Sequence, residues 1–384
     1  MNMPQRDYDV ILYGASGFTG AQTVQYFRSH APAGLRWAIG GRSREKLEKL
    51  HPGLPIFAAG STGQGPIDSM VASTRVLLTT AGPFALYGEN IVEACVRLGT
   101  HYADITGETA WVSSLIDRYH RQAEASGTRI VPFCGFDAVP SDLAAFAMSR
   151  QLGGEVAEIK AYFEWQGGSP NGGTLASGWN ALDTASRAQM NDLFLLSPEL
   201  RHAGNPIEDD PTGASFDLDC KSWIAPFVMS TINTRVVRRT CHLLNRRFAY
   251  QEYSKMGGPV AAHLAAGAGT ALQAALKSSA IRSLLRRLTP APGTGPTEAV
   301  MDGGWFRCHV FGRATDGRTA QALLSGSGDP ANRITVKCLC EAALALACDT
   351  ARLTERGGVL TPAAAMGEVL LERLHKQGIT LHAK

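Results

Sequence analysis

Three glycines spaced Gly14-x-x-Gly17-x-x-Gly20 stand between a short apolar run, Asp9 to Tyr13, and a stretch of helical character, Ala21 to Ser29. Strand, glycine turn and helix in that order make a cradle for a pyrophosphate. The first glycine allows the tight turn, the second lets the backbone approach the phosphates, and the third lets helix and strand pack closely. The helix N-terminus adds free N–H groups and partial positive charge. Ser16, Phe18 and Thr19 complete the turn, and the two hydroxyls are available to phosphate oxygens. The spacing is GxxGxxG rather than GxGxxG, and the plain alternative is a turn without a ligand. About 20 residues further on, an NAD site places a carboxylate for the ribose 2′-hydroxyl. Here that place holds Gly41-Arg42-Ser43-Arg44, with no carboxylate before Glu45. A guanidinium at Arg42 and a hydroxyl at Ser43 suit a 2′-phosphate, so the expected cofactor is NADP(H). The plain alternative, an exposed helix start, is set against the unfavourable dipole that Arg meets at that end.

Hydride transfer asks for a nicotinamide held against an acceptor carbon and for groups that stabilise developing charge. Two segments are expected at that crevice. One is Ala81-Gly82-Pro83 through Tyr87, in which the glycine and proline let backbone approach the cofactor and Tyr87 is the candidate proton donor or oxyanion partner. The other is Cys134-Gly135-Phe136-Asp137 through Ser141 and Asp142, in which Asp137 is the candidate for orienting substrate or relaying a proton. Each has a plain reading beside it: Tyr87 as a packed loop tyrosine, Ser141 and Asp142 as caps of the next helix, and Cys134 as a small buried apolar side chain, since no histidine lies nearby to activate it. Gly173 and Thr174 open a predicted helix and could offer backbone N–H groups to a substrate carbonyl or phosphate. No tyrosine is followed by lysine four residues later, so the Tyr-x-x-x-Lys mechanism of short-chain reductases is excluded.

These residues need elements that bring them together. Apolar runs at Leu35 to Ile39, Pro55 to Ala59, Arg75 to Thr79, His101 to Asp104 and Thr128 to Val131 alternate with helical stretches near Ile91 to Leu98 and Trp111 to Ser126. That rhythm predicts an α/β fold with a Rossmann-type doubly wound parallel sheet. Beyond about Asp142 the rhythm changes to an inserted α+β second domain. Its strand-like segments are Ile159 to Trp165 and Thr234 to Arg239, and a loop or lid is expected over 197–216. The expected division is an NADP-binding domain over 1–140, a substrate or dimerisation domain over 141–335, and a C-terminal helical segment over 336–384.

The runs Tyr13-Gly-Ala-Ser-Gly-Phe-Thr-Gly20, Gly40-Gly-Arg-Ser43, Thr79-Thr-Ala-Gly-Pro-Phe84, Tyr102-Ala-Asp-Ile-Thr-Gly-Glu108, Pro132 to Asp142 and Gly357 to Ala363 together resemble the saccharopine dehydrogenase-like family, most closely its trans-acting enoyl reductase branch. The resemblance implies an N-terminal NADP-binding domain, an inserted α+β domain and a C-terminal segment that packs back on the first domain. It also implies reduction of the C=C bond of an enoyl-thioester, or of a lipid or polyketide intermediate, with an acyl carrier protein as a possible carrier. The alternatives are a saccharopine-type reaction at a C–N bond, for which Arg235, Arg238 and Arg239 are candidate carboxylate grips, and an NADP-binding, membrane-associated protein without turnover.

Composition sets the remaining bounds. The 384 residues leave room for two or three domains, and a net charge of +3 is far from what a phosphate-neutralising nucleic-acid binder needs. Eight cysteines without a CxxC or a disulfide-framework spacing, and a polar start that runs straight into a strand, predict a reducing, cytoplasmic setting. Scattered histidines without HExxH predict no metal site. The apolar Pro259 to Leu276, followed by Lys277, Arg282, Arg286 and Arg287, reads either as an interfacial segment over 259–288 that touches a membrane peripherally or as a core or homodimer helix.

Overall fold

A computed structural model describes residues 6–202 and 209–383. Six strands, β1 (Tyr8–Tyr13), β2 (Trp37–Gly41), β3 (Ile56–Ala58), β4 (Thr74–Thr79), β5 (His101–Asp104) and β6 (Arg129–Val131), come from the first third of the chain. Each is short, and the central strands carry buried apolar runs such as Val10-Ile-Leu12 of β1 and Val76-Leu-Leu78 of β4, because helices cover both faces of a parallel sheet. They pair parallel in the order β6-β5-β4-β1-β2-β3, with the two-residue strand Gly358–Val359 added beside β6. Strand order reverses at β1, whose neighbours are β2 and β4, so a crevice opens at the carboxyl ends of β1 and β4.

The second sheet comprises β7 (Val156–Gln166), β8 (Ser215–Asp217), β9 (Ser222–Pro226), β10 (Ala249–Met256), β11 (Trp305–Ala314), β12 (Thr319–Ser327) and, after β13 (Gly358–Val359), β14 (Ile379–Ala383). Its order is β14-β12-β11-β7-β10-β9-β8, antiparallel except where β10 runs parallel to β7. Helix Val139–Leu152 leaves the first sheet and packs on β7, β11 and β12. The buried helix Thr335–Cys348 returns to lie on β1, β4 and β5, and helix Pro362–Lys376 packs against both helices. The C-terminal stretch therefore serves both sheets, since β13 extends the first and β14 edges the second.

Three local expectations change. Thr234 to Arg239 lies inside helix Ser230–Leu243, not in a strand. The β-branched run hid a helix that is buried on nearly every side, its arginines Arg235, Arg238 and Arg239 included. Ser141 and Asp142 do not cap their own helix, which begins at Val139. The Asp142 carboxylate instead accepts from Thr240 and from the Ala363 N–H at 2.8 Å, so it caps helix Pro362–Lys376. The loop expected over 197–216 includes a 3-10 turn at Pro198–His202 and reaches β8, and its residues 203–208 lie outside the described residues.

Candidate active site

The glycine turn folds as its spacing requires. Gly14 has φ +88°, the left-handed region that glycine enters without strain, and a Cβ there would lie 2.9 Å from Thr80 Oγ1. At Gly20 a Cβ would lie 2.1 Å from the Gly14 carbonyl oxygen, so strand and helix approach too closely for any side chain. Gly17 takes the N-cap position of helix Phe18–His30 and offers no side-chain cap, which leaves the first N–H groups of that helix facing outward without partners inside it. His51, buried beneath, holds the Ala15 carbonyl at 3.0 Å. A cradle that a Cβ would fill, at the head of an uncapped helix, fits a pyrophosphate.

That turn forms one end of a cavity of about 430 Å³. Among the predicted cofactor residues, Gly14, Ser16, Gly17, Phe18, Thr19, Arg42, Ala81 and Gly82 line it. Gly20, Ser43 and Pro83 do not. Gly20 acts through packing, and the Ser43 hydroxyl is taken up as N-cap of helix Arg44–Leu50, where it accepts from Lys46 N. The cation that joins Arg42 on the cavity wall is Lys46, one turn into that helix. Its signal in the sequence was the same absence of a carboxylate that pointed to Arg42.

Tyr87, Gly135, Asp137, Gly173 and Thr174 also line this cavity. Burial pushes the Asp137 carboxyl up to about 6. Tyr87 ends the short helix Phe84–Tyr87, which follows the cis Gly82–Pro83 peptide. Glu108 holds that helix: one carboxylate oxygen accepts from Phe84 N at 2.7 Å, and the other accepts from Ala85 N at 3.2 Å and Asn180 Nδ2 at 3.0 Å. Glu108 itself follows β5, where the buried Asp104 accepts from Tyr102 and Thr106 N and is pushed by burial up to about 7.

The opposite wall is helix Gly172–Thr184, which turns Gly173, Thr174, Ser177, Gly178 and Ala181 to the cavity, small side chains that leave the space open. Its N-cap, Asn171, is the main residue that sequence reasoning missed. The Asn171 Oδ1 accepts from Gly173 N at 2.9 Å and Thr174 N at 3.1 Å, while its amide donates to Asn332 at 3.0 Å and reaches Thr19 at 3.4 Å. The expectation that Gly173 and Thr174 present free N–H groups is thereby corrected, because the cap already uses them. An Asn directly before a Gly-Gly-Thr helix start was the available signal.

Three predicted substrate residues lie away from the cavity. Cys134 is wholly buried, its thiol bonded to the Val131 carbonyl, and burial pushes its pKa well up, against a thiolate. Phe136 packs edge-on against Phe306 and Phe163. Ser141 donates to the buried Glu252 at 2.8 Å. The arginines considered for a carboxylate grip also point elsewhere: Arg235 pairs with Asp210, Arg239 reaches His120 and the Val359 carbonyl, and Arg238 reaches the Leu193 carbonyl.

Residues 10–131 match the family described as the saccharopine dehydrogenase NADP binding domain. The chain is 38% identical to a trans-acting enoyl reductase homologue of Mycobacterium tuberculosis, over 99% of this chain and 98% of that protein. It is 35% identical to the trans-acting enoyl reductase of Mycobacterium ulcerans, over 100% of this chain and 99% of that one. Among solved structures, saccharopine dehydrogenase from Saccharomyces cerevisiae superposes with a TM-score of 0.56 at 12% identity, covering 98% of this chain and 100% of that one, a likeness of fold. The glycine cradle, the matched N-terminal domain and relatives aligned over nearly their whole length lead to one assignment: this chain belongs to the saccharopine dehydrogenase-like family of NADP-binding oxidoreductases, in its trans-acting enoyl reductase branch.

Proposed function

We propose that the protein is an NADPH-dependent reductase of the C=C bond of an enoyl-thioester, presented on an acyl carrier protein or coenzyme A. The observation that carries this reading is the continuity of one cavity from the glycine turn and Arg42 to Asp137 and Tyr87. NADPH, when bound, supplies the hydride. Gly14, Ser16, Gly17 and Thr19 would hold its pyrophosphate, and Arg42 with Lys46 its 2′-phosphate, by charge-assisted contacts. Ala81 and Gly82 offer a wall without bulk beside the reacting end.

The protein's own chemistry then concerns the enolate left when the β-carbon has gained hydride. Tyr87 donates its phenolic hydrogen bond to the enolate oxygen, and Asp137, which burial keeps partly protonated near neutral pH, delivers a proton to the α-carbon. The small-residue wall of helix Gly172–Thr184 accommodates the acyl chain, and Glu108 fixes Tyr87 by holding the helix that ends on it. For the alternative at a C–N bond, Arg235, Arg238 and Arg239 supply no grip in the cavity, which favours the enoyl reading. The test is NADPH consumption with crotonyl and longer enoyl thioesters, set against saccharopine and an imine precursor. Turnover with the thioesters is expected, and turnover with saccharopine alone would replace this reading.

A further inference from the structure

Between Pro259 and Thr297 the chain carries Lys277, Arg282, Arg286 and Arg287 and no carboxylate at all. The segment forms two helices, Pro259–Ala275 and Ser279–Leu288. The first has no charged side chain over its whole length, yet of its residues only Ala262 is buried, with Val260 72% and Leu264 69% exposed. It touches the second sheet along one edge near β9, where His263 meets Trp223. The second helix leaves much of its apolar stripe exposed, unlike an ordinary amphipathic surface helix, whose stripe faces the core. Arg282 and Arg286 turn toward the protein: Arg286 pairs with Asp183 and lies over the Trp179 ring at 5.3 Å, and Arg282 approaches Asp183 at 4.0 Å. Leu284 and Leu288 turn outward, 59% and 74% exposed, with Arg287 beside them, whereas Ile281 is 39% exposed and Leu285 is half-buried.

The exposed face of this uncharged helix, beside outward leucines and cations, has no counterpart surface within the described residues. No helix among them is long and apolar enough to cross a membrane. We infer that residues 259–288 dock on an anionic lipid surface, with the leucines in the acyl boundary and Lys277 and Arg287 at the headgroups, and that this contact places the cavity at the membrane. Charge chooses this occupant, since the segment is exclusively cationic. Position supports it: the loop that follows the second helix forms part of the cavity wall at Pro292 and Gly293. In the same loop Thr294 accepts from Gly172 N at 3.0 Å, and a Cβ at Gly295 would strike the Phe18 ring at 2.4 Å. The docked segment is thus joined directly to both the phosphate turn and the helix that lines the acyl end. The docking stands on its own geometry, whereas entry of a lipid-borne substrate from that surface rests on the enoyl reductase reading.

The experiment is co-sedimentation of the full chain with phosphatidylcholine vesicles, with and without phosphatidylglycerol, in the absence of substrate. Pelleting is expected only with phosphatidylglycerol, and it should weaken as salt rises. Lys277→Ala with Arg287→Ala should lower partitioning roughly 30-fold, and Leu264→Asp with Leu284→Asp should abolish it. All four positions are exposed, and retained NADPH binding verifies that the variants fold. Equal pelleting without phosphatidylglycerol, unchanged pelleting of either variant, or a solution dimer that Leu264→Asp with Leu284→Asp dissociates while vesicles stay unbound would each overturn the proposal. Because no turnover is measured, its failure is distinct from failure of the enoyl reductase reading.

Discussion

The roles proposed for Arg42 and Asp137 can each be tested alone. Removing the guanidinium in Arg42→Ala should weaken NADPH by roughly 10- to 100-fold, the worth of a hydrogen bond to a charged group, while NADH affinity stays nearly constant. Fluorescence titration with both nucleotides measures the difference, and equal losses would show that Arg42 does not read the extra phosphate. Asp137→Asn keeps the shape of the side chain but not its proton. Turnover should fall about 10²- to 10⁴-fold with NADPH binding intact. The sign of the pH dependence follows from burial: the acid form is the donor, its carboxyl is pushed up to about 6, so turnover should decline as pH rises through that value and the decline should vanish in Asp137→Asn.

At the scale of elements, the site depends on helices held by side chains from distant segments. Glu108 satisfies two N–H groups of helix Phe84–Tyr87 and also Asn180 of the opposite wall. Glu108→Gln sets an amide donor against one of those N–H groups, at a cost of about 1–3 kcal/mol. The expected result is a lower midpoint in denaturant and a drop in kcat/KM with NADPH affinity retained, because the cradle lies on other elements. Gly20→Ala acts on the other side of the cavity. A methyl 2.1 Å from the Gly14 oxygen forces β1 and its helix apart, and NADPH binding should be lost before the fold is, as calorimetry beside nucleotide titration would show.

For the whole molecule, burial of carboxyls couples stability to pH. Asp104, Asp142 and Glu252 are pushed up to about 7 by burial. The folded protein therefore holds protons that the unfolded chain releases near 4, and stability from these groups is lost as pH rises through 7. His101, lowered to about 3 by burial, works in the opposite direction but only below its unfolded value of 6.5. From about pH 6.5 to about pH 8 the carboxyls act without that opposition, and each should contribute a loss on the order of 1 kcal/mol. Thermal unfolding across that range should show Tm falling by several degrees as pH rises. A flat profile would mean that these carboxyls ionise freely in the folded state.

The first sheet and the cofactor end of the cavity were legible in the residues because their determinants are local. A glycine turn, a missing carboxylate and short apolar strands each act within a few positions of chain, so Gly14, Gly17 and Arg42 could be read one after another. The opposite wall was legible only at Gly173 and Thr174. Asn171, Met229 with Ile232, and Pro292 come from three separate segments, and only the packing of the second sheet and its helices on the first brings them to one space. The same holds for the roles that changed. Cys134, Phe136 and Ser141 sit in a motif that leads to the cavity, but alternate side chains at a strand end and a helix start face opposite ways, and tertiary contacts with Phe306, Thr335 and Glu252 decided which were buried. Sequence alone determined what kind of ligand the opening turn can hold; the three-dimensional packing decided which side chains meet it, because convergence of distant segments depends on surface burial across the whole chain rather than on any local run of residues.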